Sequence, residues 1–367
     1  MTDPRVTKLA QVLVNYSLAL QPGEKFMLVT APAAEPLNLA VYKEAILAGA
    51  HVTVQQAIPG ANEILFKYAS DEQLDYVSPL QEFAMENMDS YLSIGATVNT
   101  RGLSGVDPKR QSRASKAGAP LFAKVMQRFA EGKLKWCGTR FPTHASAQEA
   151  DMSLSDYEDF VYSAGLLHLD DPVAAWKAQG ERQQKLIDWL AGRDKAVLKG
   201  ANIDLTLSIN GRNFVNACGR ENFPDGEIFT SPVETSVNGW VRFGYPAIYG
   251  GREVTNIELW FEDGKIVKEQ ASKGEELLTA LLNTDDGSRF LGEWGIGTNY
   301  GINRFTKDML FDEKMGGTIH LAVGAGFPEA GAQNKSGVHW DMLCDMADSE
   351  ITVDGEPFYR NGHPVVG

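Results

Sequence analysis

Three dipeptides, Asn210-Gly211, Asp263-Gly264 and Asp354-Gly355, each sit between short runs of alternating apolar and polar residues. Asn-Gly and Asp-Gly tolerate positive φ at both central positions of a two-residue turn, and the twist of that turn matches the strands it joins, so each dipeptide signals an antiparallel hairpin. All three lie beyond residue 200. Before it the texture differs. The runs "EKFMLVTA", "HVTVQQAI", "SYLSIGA" and "KLKWCGTRF" read as strands, with helical spacing between them in "EPLNLAVYKEAILAGA" and "DPKRQSRASKAGAPLFAKVMQRFAEG". Strands separated by helices of that length favour a mostly parallel sheet covered on both faces. A chain of 367 residues also exceeds one ordinary core. The expectation is an α/β N-terminal domain with an open, mostly parallel sheet over residues 1–200, and an α+β C-terminal domain rich in antiparallel strands over 201–367.

Charge narrows the partners. A formal charge of −14 without any Lys/Arg run argues against an electrostatic grip on nucleic acid or anionic lipid. The N-terminal stretch "MTDPRVTKLAQVLVNYSLAL" reads as an amphipathic helix, lacking the basic head and small-residue cleavage site of a secretory signal. No apolar run approaches the roughly 20 residues of a membrane-spanning helix. Cys137, Cys218 and Cys344 lie far apart with no C-x-x-C pair. A cytoplasmic location is expected.

The chemistry concentrates in the second half. If "TIHLAVG" and "VHWDM" are strands, residues two apart share a face, so His339 and Asp341 project together while Trp340 and Cys344 turn the other way. A neutral imidazole beside a carboxylate is a pair suited to a cation. Among many acids, Glu227 in "PDGEIFTSP" and Glu293 in "LGEWGIGTN" stand out, because an acid set among aromatic residues and glycines is seldom a merely solvated charge. "GIGTNYG" lacks the βαβ frame of a dinucleotide loop, and its glycines read as a tight backbone turn beside Glu293. Neither a G-x-S-x-G elbow nor H-E-x-x-H occurs. His51, His144, His168 and His363 read as ordinary surface or core residues.

In this order, "PDGEIFTSP", "LGEWGIGTN", "GTIHLAVG" and "HWDM" resemble the motifs of the M29 family of thermophilic-type metalloaminopeptidases, and "SLSDYEDFVYSA" resembles a helix of that family. The resemblance implies two divalent metal ions, zinc, cobalt or magnesium, held by Glu227, Glu293, His320, His339 and Asp341. It implies Glu293 as proton carrier as well as ligand, release of N-terminal residues from peptide substrates, and a homodimer. The charges balance. Three carboxylates contribute −3, two dications +4 and one bridging hydroxide −1.

Two departures from the family pattern are visible. Phe327 stands where a tyrosine is usual, and the segment from His320 to His339 is short. Nearby Tyr300 is a possible substitute for the missing hydroxyl. The alternative reading is a ring-cleaving dioxygenase of the dihydroxypyridine type, similar in these motifs. It would hold one ferrous ion by His320, His339 and Asp341 alone.

Overall fold

The computed structural model describes residues 3–367. Two compact units emerge. One runs up to Val173 and takes in Gly219–Pro224; the other comprises Ala174–Cys218 and Asp225–Gly367.

The first unit is built on a parallel sheet in the order His51–Gln56, Lys25–Thr30, Ser90–Gly95, Lys135–Arg140, with Asn222–Phe223 pairing beside the last. Phe26, Met27 and Leu28 and the alternating Leu92 and Ile94 are buried, which places the most continuously apolar strands inside the sheet. The polar-tailed His51–Gln56 takes an edge. Its first helix, Pro4–Val12, starts where the Asp3 side chain accepts the Arg5 amide and Pro4 fills a position needing no donor. Helix Glu35–Leu47 buries Leu37, Val41 and Ala45, yet leaves Leu39, Tyr42, Ile46 and Leu47 exposed.

Among the described residues the second unit holds two large antiparallel sheets and a two-stranded ribbon of Ala247–Tyr249 with Arg252–Val254. The larger runs Lys265–Gln270, Ile257–Glu262, Asn238–Phe243, Ile203–Ser208, Lys195–Gly200, Ser349–Val353, Glu356–Arg360, His363–Pro364. The smaller runs His339–Asp345, Thr318–Gly324, Leu291–Gly297, Glu227–Thr230, Val215–Ala217. One core joins them. Leu198, Leu205, Val241 and Leu259 from the first sheet belong to the same buried cluster as Trp294, Ile319, Leu321 and Met342 from the second. The fold class read from the sequence is the one observed.

Two of the three expected hairpins form. Asp263-Gly264 joins Ile257–Glu262 to Lys265–Gln270, and Asp354-Gly355 joins Ser349–Val353 to Glu356–Arg360, with φ positive at both central residues each time. Asn210-Gly211 does not make one. Ile203–Ser208 already has partners along both edges, so the chain leaves that sheet and Val215–Ala217 pairs with Glu227–Thr230 in the other. Asn361-Gly362, between Arg360 and His363, carries the same sequence signal and makes a further turn of this kind.

Candidate metal centre

Core packing decides which side chains face the site. Ile319, Leu321 and Val323 fill the core from one strand, and Trp340, Met342 and Cys344 from the next. By the two-residue period His320, His339 and Asp341 therefore project from the other face of the smaller sheet. A register shift between Leu291 and Glu293 inserts an extra residue into their strand. Leu291, Trp294 and Ile296 can then all reach the core, while Glu293 stays with the histidines. Glu227 arrives on the neighbouring strand, opposite Gly297.

Small partners make room. Ala322 lies between Glu293 and Asp341, Gly295 faces His320 and Gly324 faces His339. Gly295 and Gly297 belong to a strand, which corrects the expectation of a tight turn beside Glu293. They are glycines for want of space. A Cβ on Gly295 would lie 2.0 Å from the His320 ring, one on Gly297 2.1 Å from the Met315 carbonyl oxygen, and one on Gly292 2.1 Å from that of Ala325.

The five side chains come together as two groups sharing one member, Glu227–Glu293–His320 and Glu293–His339–Asp341. Glu293 spans them. Its Oε1 is 3.3 Å from His320 Nε2 and its Oε2 3.2 Å from His339 Nε2. Glu227 Oε2 is 3.3 Å from His320 Nε2, and Asp341 Oδ1 is 3.6 Å from His339 Nε2.

Both imidazoles are oriented by the backbone. His320 Nδ1 lies 3.0 Å from the Glu313 carbonyl oxygen and His339 Nδ1 2.8 Å from that of Ala325. A carbonyl can only accept, so each Nδ1 carries the hydrogen. In the neutral ring Nε2 then presents a lone pair toward carboxylate oxygens. Acceptor faces acceptor, an arrangement that needs either a second proton or a cation between them. Among the described residues, the buried Glu227 Oε2 and Asp341 Oδ1 have no hydrogen-bond partner. One belongs to each group.

The electrostatics agree. Burial alone would lower the imidazole pKa values, but the facing carboxylates outweigh it. Glu227 and Glu293 raise His320 to about 10, and Asp341 and Glu293 raise His339 to about 11. Glu227 is pushed up to about 8 by burial, against the pull of Lys314 and His320. Burial acts upward on Asp341 as well, yet the contact with His339 leaves it below the usual carboxylate range. Proton-holding imidazoles among carboxylates mark a site built for positive charge. Donors of mixed nitrogen and oxygen type, with one unsatisfied oxygen per group, fit divalent cations.

Sequence reasoning missed two residues here. Lys314 is fully buried with Nζ 3.4 Å from Glu227 Oε1, and it also pairs with the Glu313 carboxylate. "FDEKMGG" reads locally as a charged turn. Only its position between the apolar "MLF" and the His320 strand hints at burial. Other expectations are resolved by position. Cys344 faces the core. The Phe327 ring lies against His339 at 5.1 Å and Phe229 at 5.1 Å, presenting an aromatic wall where a hydroxyl was sought. Tyr300 is no substitute donor, since its hydroxyl donates to the Gly362 carbonyl and its ring stacks on His363. The segment between the two histidine strands is pinned. Asp285 accepts the Gly337 amide and Ser336 hydroxyl, Glu234 accepts the Gln333 amide, and Asn334 donates to the Gly324 carbonyl.

A sheet face carrying paired carboxylate–imidazole groups around a shared glutamate defines a metal-dependent hydrolytic class of site. The comparisons give it a family. The model of the thermophilic metalloprotease family (M29) matches residues 2–363, and the chain belongs to that family. It is 30% identical to aminopeptidase 2 of Geobacillus stearothermophilus over 406 residues, covering 98% of each chain. It is 28% identical to aminopeptidase T of Thermus thermophilus, again with 98% of each covered. Its structure is similar to that of wild-type AmpT from Thermus thermophilus, with a TM-score of 0.86, 25% identity and 99% of each chain covered. The dioxygenase alternative draws no support from these relatives.

Proposed function

We propose that this chain is a two-metal aminopeptidase that removes N-terminal residues from short peptides. Glu227, Glu293, His320, His339 and Asp341 are its ligands, with Glu293 contributing to both positions. When bound, the divalent cations lower the pKa of a shared water and polarise the scissile carbonyl. The rest falls to the chain. The Glu313 and Ala325 carbonyls hold each imidazole with Nε2 toward the centre. Glu293, touching both halves, is placed to take a proton from water and pass it to the leaving amine. Phe327 and Phe229 offer an apolar surface at the edge of the site. Zinc or cobalt suits imidazole donors better than magnesium.

The observation that carries the reading is the single carboxylate of Glu293 reaching two different imidazoles through its two oxygens. The test pairs elemental analysis with a chromogenic leucyl anilide. Close to two metal ions per chain is expected, with hydrolysis that disappears when the substrate amine is acetylated. One iron per chain with oxygen-dependent turnover would overturn the reading.

Homodimer formation belongs to the same proposal. Exposed apolar side chains grouped on one helix mark a surface for protein contact, and among the described residues Leu39, Tyr42, Ile46 and Leu47 of helix Glu35–Leu47 form such a group. Light scattering is expected to give twice 40.1 kDa, and a monomer mass would refute this part. Action in the cytoplasm is likewise proposed, on the reading of three widely spaced cysteines; reporter fusions that fluoresce only outside the cytoplasm would contradict it.

A further inference from the structure

Lys314 is the group in this site that the reaction does not call for. Its side chain is wholly buried, and among the described residues its ion pairs are with Glu227 and Glu313. The ammonium lies 3.4 Å from Glu227 Oε1, on the opposite oxygen from the one facing His320. Glu227 therefore has a single oxygen left for a cation. No lysine or arginine among the described residues forms an ion pair with Glu293 or Asp341.

We propose that Lys314 makes the two metal positions unequal, weakening the hold at Glu227–Glu293–His320 and leaving Glu293–His339–Asp341 as the tighter one. This rests on the two-metal reading above. The physical cause is plain. An ammonium on one carboxylate oxygen removes the option of two-oxygen ligation at Glu227 and draws on the charge that this carboxylate would offer a dication, while the Glu313 carboxylate offsets part of the ammonium's own charge. Lys314 is also held in place. Glu313 pairs with it through its side chain while its carbonyl orients His320, so the ammonium cannot swing aside without disturbing the ligand it discourages. The consequence is a site whose second ion is exchangeable, so that metal supply sets the fraction of fully loaded protein.

The test is a zinc titration of the metal-depleted full chain against a competing chelator, read as affinity rather than activity. In the unaltered protein two zinc ions are expected, the second bound about tenfold or more weakly. His320→Ala should abolish the weak ion and retain the tight one. Lys314→Met should tighten the weak position until the two differ by less than about threefold, whereas Lys314→Arg should restore the gap. A merely structural lysine would not yield tighter binding on removal. Two ions of equal affinity in the unaltered protein would overturn this inference and leave the two-metal reading standing, and needs no variant to fold. An unchanged gap in a folded Lys314→Met protein would do the same. One ion, or none, at saturation would overturn both.

Discussion

At the scale of single residues, the site depends on what is absent as much as on what is present. Gly295 sits opposite His320, and the imidazole fills the volume its side chain would take, since a Cβ there would lie 2.0 Å from the ring. Nothing about its backbone requires glycine. Gly295→Ala is therefore expected to leave the strand intact but displace the ring, lowering zinc content by about one ion per chain and turnover by about 10²-fold or more, as misplacing a catalytic group by an ångström does. Metal analysis of the folded variant checks it, and unchanged zinc content would contradict it. The same residues measure how far the sequence speaks for itself. His339 and Asp341 were legible as a pair, because period two on a strand puts them on one face. Glu227 and Glu293 stand out by their aromatic and glycine neighbours and His320 only through the family motif, their partners in space lying 27 to 93 positions away along the chain. Lys314 was not legible at all, since local pattern describes a turn and only tertiary packing buries it.

Among elements, the type of a turn was readable and its surroundings were not. Asp263-Gly264 and Asp354-Gly355 adopt the same backbone, with φ of 85° at Gly264 and 83° at Gly355. Their environments differ. A Cβ on Gly355 meets nothing within 4 Å, whereas one on Gly264 would lie 1.7 Å from the Glu234 carbonyl oxygen. Gly355→Ala should cost only the left-handed backbone penalty of about 1–2 kcal/mol. Gly264→Ala must also move backbone and should exceed that by at least about 1 kcal/mol. Urea denaturation of both variants measures the difference, and equal losses would show that the close approach relaxes freely. Asn210-Gly211 shows the limit of the signal. A dipeptide specifies how the chain turns, but whether the strands it links become neighbours depends on edges already taken by Lys195–Gly200 and Asn238–Phe243. The parallel sheet was easier to foresee because two of its crossover helices, Glu35–Leu47 and Pro108–Ala130, leave their own spacing in the sequence, whereas the short helices between Gln56 and Ser90 do not.

For the molecule as a whole, the centre ties stability to metal and to pH together. Without metal, the carboxylates of Glu227, Glu293, Glu313 and Asp341 face the Lys314 ammonium and the two imidazoles. The folded chain answers by keeping protons on His320 and His339, at about 10 and 11, against an ordinary value of 6.5. A group whose pKa is raised by folding stabilises the fold fully below its unfolded value, and that contribution is lost as pH rises through the folded one. The window therefore opens near 6.5 and closes near 11. Glu227, raised to about 8, adds a loss of its own as pH climbs from 4.5, because the unfolded carboxyl ionises before the folded one. Both act in the same direction. Bound cations replace the imidazole protons, so the loaded protein has no such dependence, and ligand binding to the folded state adds stability that grows as proton competition fades. Chelator-treated protein is thus expected to stay folded at pH 6.5 and to lose Tm steadily toward pH 10, while zinc-replete protein changes far less and the gap between the two widens with pH. Adding zinc near pH 7 should also release about three protons per chain, one from each imidazole and one from Glu227, whose carboxyl is still largely protonated there. A Tm in chelator that is level or rises over this range, with no proton release on loading, would mean that the imidazoles and carboxylates do not face one another as described.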